Sequence, residues 1–129
     1  MRQTGVLTNA AWAALDEVYP KLPDTHAIAK DIESHILHLG LKTLIPVQTN
    51  MIWIDITSAG LQNQWFGDEA SKRGIRWGHD GRVVIHHQIC SEAVKILKET
   101  IEFVVEKHKS GGYGQSLASE THGYGTLKQ

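Results

Sequence analysis

Met51-Ile52-Trp53-Ile54-Asp55-Ile56 is the stretch on which the reading of the fold turns. It is β-branched and apolar, a composition that fits a pleated, half-buried backbone. Thr43-Leu44-Ile45, just upstream, has the same character, and the link from Pro46 to Asn50 suits a bend or an edge position. Two strands are therefore expected here. Asp55 interrupts the run, which is far shorter than the roughly 20 apolar residues that cross a bilayer.

Upstream, residues 4–19 carry Ala10, Ala11, Ala14, Leu15 and Val18 at helical spacing, and Pro20 and Pro23 stop that helix. Asp24 is suited to cap a second helix running to Leu39. Its apolar side holds Ala27, Ile28, Ile32, Ile36 and Leu39, and Gly40 closes it. Downstream, Leu61, Trp65, Phe66 and Ala70 predict a helix over 61–73, with Gly74 at the position that needs positive φ. Ile75-Arg76-Trp77 and Arg82-Val83-Val84-Ile85-His86 flank Gly78-His79-Asp80-Gly81, and the Asp-Gly pair predicts a β-hairpin. Ser91 can cap a last helix whose stripe is Val94, Leu97, Ile101, Val104, Val105 and His108.

From Ser110 onward the composition turns to Gly, Ser, Tyr and Thr, so residues 110–129 read as a disordered tail behind a domain of residues 1–109. The order helix, helix, strand, strand, helix, strand, strand, helix describes an α/β (α+β) sandwich, with a mainly antiparallel sheet and helices packed on one face.

At 129 residues, 41% hydrophobic and 21% charged, the chain can bury one compact core. A net charge of -1 provides no broad attraction for nucleic acid or an anionic membrane, so neither is an expected partner. The N-terminus lacks the basic and apolar regions of a signal peptide, and a lone Cys90 suits a reducing compartment, so a cytoplasmic location is expected.

Arg82 is the leading candidate for chemistry, because a strand-borne guanidinium beside a glycine turn offers a rigid two-pronged donor to a carboxylate. The plainer reading is a surface arginine paired with a neighbouring acid. His86 and His87 would point to opposite faces of a strand and so cannot share a metal from it, and His35 and His38 lack a completing ligand, so no metal site is expected. His86 then reads as a hydrogen-bonded residue at a strand end, and Asn50 as a turn cap. Cys90 reads as a small buried hydrophobe, and Trp12, Trp53, Trp65 and Trp77 as core residues.

Three ordered motifs carry a family resemblance: Met1-Arg2-Gln3, Thr49-Asn50-Met51, and Arg82 standing four residues before His86. With the helices around them, residues 1–109 resemble the C-terminal small domain of L-threonine aldolase and the aromatic amino-acid β-eliminating lyases, pyridoxal-phosphate enzymes of fold type I. The resemblance implies a lyase of amino-acid metabolism that cleaves L-threonine to glycine and acetaldehyde. It implies that Arg82 holds the substrate carboxylate and that Asn50, His86 and Arg2 lie near the active site. It also implies that the Schiff-base lysine, and hence covalent attachment of the cofactor, belongs to an upstream large domain. No lysine of this chain sits in the family's motif, and the segment alone is expected to be inactive. A homo-oligomer or a partner domain is expected to complete it, and a non-catalytic interaction module or the remnant of a truncated gene is the competing expectation.

Overall fold

The computed structural model describes residues 3–113. The elements are α1 (Thr4–Glu17), a 3-10 turn (Tyr19–Lys21), α2 (Leu22–His38), β1 (Lys42–Thr43), β2 (Met51–Asp55), α3 (Asn63–Lys72), β3 (Arg82–Val84) and α4 (Ser91–Lys109). The sheet order is β1-β2-β3 and both pairings are antiparallel. Thr43 lies opposite Ile54, Ile52 opposite Val83, and Trp53 opposite Arg82. This is the α+β layout expected.

Strand alternation decides what the sheet buries. Ile52 and Ile54 are buried and join Ile32 and Ile36 of α2 and Ile101 and Val104 of α4 in one core, with Phe66 of α3 also fully enclosed. Met51, Arg82 and Val84 lie on the exposed side. The buried stripe of α2 is Thr25, Ala29, Ile32 and Ile36, so Ala27, expected inside, faces out. That helix begins before Asp24. Pro23 sits in its first turn, where the missing N–H would have had no helical partner anyway, and Asp24 lies in the positive end of the helix instead of capping it.

The expected hairpin is not formed. Residues 75–77 are not a strand, because other partners tie the segment down. The Trp77 indole donates to Asn63 Oδ1 at 2.8 Å, and Asn63 Nδ2 donates to the Gly78 carbonyl at 3.0 Å. β3 pairs with β2 instead and ends at Val84. The Asp80-Gly81 turn does exist, with Gly81 at φ +69° and the Arg82 N–H donating to Asp80 Oδ1.

α1 stands apart. None of its residues is buried, and it touches no element except the 3-10 turn that follows. Trp12, expected in the core, is 66% exposed, and Leu15 is 58% exposed. At the other end, α4 closes with paired backbone bonds, Gly112 N–H to the Lys107 carbonyl and Gly111 N–H to the His108 carbonyl, with Gly111 at positive φ. Tyr113 then stacks on Trp65 with ring centroids 4.1 Å apart. The rest of the expected tail, residues 114–129, lies outside the described residues, as does Arg2.

Gly81 is constrained twice. Its φ disfavours any side chain, and a Cβ there would stand 2.9 Å from both the Ile54 carbonyl oxygen and Ile56 Cδ1. Gly81→Ala is expected to destabilise the fold by roughly 2–4 kcal/mol, combining left-handed strain with overpacking, as a shift in the urea midpoint.

Glu33 joins α2 to the link before β2. Its Oε1 accepts the Val47 N–H at 3.0 Å, and Lys30 lies 2.9 Å from Oε2. The Val47 amide and then Lys30 hold its carboxyl below the ordinary glutamate range. A depressed folded-state value contributes stability above the ordinary range, about 4.3, which is lost as pH falls through the lower folded value. Thermal melts between about pH 6 and 3 should therefore fall more steeply for the wild type than for Glu33→Gln.

Candidate functional site

Arg82 opens β3 with an exposed side chain, and its own N–H is held by Asp80. Among the described residues its guanidinium has no ion-pair partner.

Asn50 is a fastener between strand ends. Its Nδ2 donates to the Ile85 carbonyl at 2.9 Å, while the Ile85 N–H donates to the Asn50 carbonyl at 2.8 Å. This exchange extends the β2–β3 pairing one step past Val84, with the amide side chain supplying the second bond. His86 follows directly. It is exposed, its carbonyl accepts the Ile89 N–H at 3.0 Å, and its Nδ1 accepts the Gln88 N–H at 3.4 Å.

His86 and His87 do not point to opposite faces, because the strand has ended before them. Their rings lie 4.3 Å apart in a turn. Partial burial first, then the adjacent His86 and Lys21, pulls the His87 imidazole below the ordinary histidine value. No three metal-ligating side chains come together among the described residues. Cys90, expected to be buried, is exposed just before α4.

The structure thus brings Asn50 and His86 together around Ile85 but leaves Arg82 at the other end of β3, roughly 10 Å away at about 3.3 Å per residue. Sequence reasoning missed Arg76. It shares with Arg82 the wall of a cavity of about 200 Å³ between β3, segment 75–78 and the start of α4. The one signal for it was its place between two apolar residues, Ile75 and Trp77.

A phosphorylated pyridine cofactor bound through a lysine needs that lysine near an acid and an anion cradle. Among the described residues, Lys30, Lys72, Lys95 and Lys98 are paired with Glu33, Glu69, Glu99 and Asp31. Lys109 donates to the Leu39 carbonyl, and Lys107 lies over the Phe103 and Tyr113 rings. No lysine lines the cavity beside Arg82. Lys21 and Lys42 are in no ion pair among the described residues but do not line that cavity either, so the residues around Arg82 do not fit a self-contained site for that cofactor.

Among the described residues, the α+β domain thus presents an arginine without an acid partner at the start of β3 and an apolar helix that no other element covers. Comparison with known proteins gives the family. The chain is 33% identical over 107 residues to a probable low-specificity L-threonine aldolase of Schizosaccharomyces pombe, covering 83% of this chain and 27% of that protein. It is 36% identical over 101 residues to low-specificity L-threonine aldolase 1 of Arabidopsis thaliana, 73% of this chain and 28% of the relative. It is 32% identical over 115 residues to the alanine racemase TOXG of Cochliobolus carbonum, 82% of this chain and 29% of the relative. By sequence, the chain belongs to the threonine aldolase group and spans a little over a quarter of the length of the relatives it matches. No family model and no solved structure matches it.

The two kinds of candidate residue should separate in unfolding experiments. Asn50→Ala is expected to lower stability by about 1–2 kcal/mol, since it strands a carbonyl at the strand end. Arg82→Ala should stay within about 0.5 kcal/mol. Urea titration of both variants reads the difference.

Proposed function

We propose that the chain corresponds to the C-terminal small domain of a pyridoxal-phosphate-dependent threonine-aldolase-like lyase, acting in amino-acid metabolism in the cytoplasm. In this reading Arg82 binds the carboxylate of the amino-acid substrate, L-threonine, on its way to glycine and acetaldehyde. The observation that carries the role is an exposed arginine at the start of a strand with no acid paired to it among the described residues. Its guanidinium offers a carboxylate two parallel donors.

Asn50 acts indirectly, by fixing the end of β3, and His86 flanks the same point. The cofactor is assigned to a large domain, because the described residues here do not fit it. The exposed apolar residues of α1 support that division. Val6, Leu7, Trp12 and Leu15 form a surface that an isolated helix of this length would not keep in water without a partner. The same surface is what favours a second reading, a non-catalytic interaction module that assembles with copies of itself or with another chain.

The two readings part in one experiment. The 129-residue chain alone is expected to release no acetaldehyde from L-threonine, and activity is expected when a large-domain polypeptide from a threonine aldolase relative is supplied. In that completed enzyme, Arg82→Ala should raise KM for L-threonine by about 10- to 100-fold, the range of a lost charge-assisted bidentate contact, while cofactor absorbance is retained. Threonine kinetics indifferent to Arg82→Ala would remove the carboxylate role, and a large domain that never associates would favour the interaction module.

A further inference from the structure

We infer that Asn63 is a positioning residue for Arg82: with the two ends of its amide it holds Trp77 and Gly78, and so fixes the turn from which β3 starts. The inference rests on the reading above only for the role of Arg82 toward substrate. The link between Asn63 and the turn comes from the structure.

The segment leading into that turn has little main-chain support. The Ile75 N–H donates to the Ala70 carbonyl at 2.9 Å, and the Gly81 carbonyl accepts the Ile54 N–H at 3.1 Å. Between these two points, among the described residues, no backbone–backbone hydrogen bond holds residues 76–80. Packing does not replace them. A cavity of about 200 Å³ is lined by Trp77, Gly78 and Arg82, and a second of about 210 Å³ by Asn63, His79 and Asp80, so the segment borders empty space along its length.

Side chains hold it instead. Asn63 Oδ1 accepts the Trp77 indole N–H at 2.8 Å, Asn63 Nδ2 donates to the Gly78 carbonyl at 3.0 Å, and Asp80 Oδ1 accepts the Arg82 N–H at 3.2 Å. The Trp77 ring has a second anchor, since it stacks on the enclosed Phe66 with centroids 5.1 Å apart. The Gly78 carbonyl depends on Asn63 among the described residues. Gly78 passes the constraint on, because it lies so close to the next strand that a Cβ on it would stand 3.4 Å from the Arg82 carbonyl oxygen and 3.6 Å from Asp80 Oδ1.

An asparagine at a helix start commonly turns its side chain back onto the free N–H groups of its own helix. Asn63 begins α3, yet both ends of its amide go to residues 14 and 15 positions away. Closing its own helix does not account for that arrangement, and holding the turn before Arg82 does.

The test starts with the 129-residue chain alone and backbone ¹⁵N relaxation. In Asn63→Ala the order parameters of residues 78–82 should fall from the rigid range, about 0.85, toward about 0.6, while those of α4 stay in place. Asn63→Asp keeps an acceptor for Trp77 but has no donor for Gly78, and an acid suits the first turn of a helix. It should lower the same order parameters part of the way, and it keeps the test open where the alanine variant folds poorly. In the enzyme completed with a large-domain polypeptide, Asn63→Ala should raise KM for L-threonine by about three- to tenfold, the scale of one net hydrogen bond. The kcat and cofactor absorbance should be kept, and Asn63→Ala should add nothing in an Arg82→Ala background.

Order parameters unchanged at 78–82, or lowered equally in α4, would overturn the inference, as would a rise in KM that is the same with and without Arg82. If Asn63→Ala leaves KM alone while Arg82→Ala raises it, the positioning role falls and the aldolase reading stands. If Arg82→Ala changes nothing, the aldolase reading falls and takes the positioning role with it.

Discussion

Everything positioned in this domain depends on β2 being held on both edges. It is the one strand with two neighbours, and its buried residues Ile52 and Ile54 are shared between the sheet and the helices that cover it. Its two ends are closed by different means. At one end the Gly81 carbonyl accepts the Ile54 N–H at 3.1 Å, and the Ile54 carbonyl and Ile56 side chain leave no room for a Cβ at position 81. At the other, Asn50 trades two hydrogen bonds with Ile85. Arg82 follows the first of these closures in the chain and the His86 turn follows the second.

Ion pairing is local, with Glu69 serving both Lys72 and Arg73, Glu33 serving Lys30, and Asp31 serving Lys98. Exposed pairs of this kind contribute little stability, roughly 0–1 kcal/mol each. Arg76 and Arg82, which line one cavity, have no acid partner among the described residues, and neither have Lys21 and Lys42. In the proposed reading the domain orients a substrate, and the Schiff-base lysine belongs to a large domain.

The uncovered α1 and the docked end of α4 show two ways a helix can be anchored. α4 is amphipathic, buries Leu97, Ile101, Val104 and Val105, and ends in a glycine turn that returns Tyr113 to stack on Trp65. α1 is apolar without a buried face. Its side chains are those of a helix meant to be covered, and among the described residues nothing covers it.

The sequence by itself determined what depends on near neighbours: the four helices, the strand at 51–55, the glycine stops at Gly40 and Gly74, and the Asp80-Gly81 turn. Each is set by local spacing or by a φ that only glycine takes freely, and the family resemblance was likewise legible in short ordered motifs. Tertiary structure decided what depends on choosing among distant partners. Residues 75–77 have strand composition but lose β3 to β2, because Asn63 satisfies Trp77 and Gly78 first. The buried stripe of α2 falls on Ala29 and not on Ala27, because Ala29 shares the face of Ile32 and Ile36 that joins the core. Arg76 could not be told from any surface arginine until the fold put it across a cavity from Arg82. A hydrogen bond between residues 14 or 35 positions apart leaves no periodic mark in a chain, and the candidate site is built from such contacts.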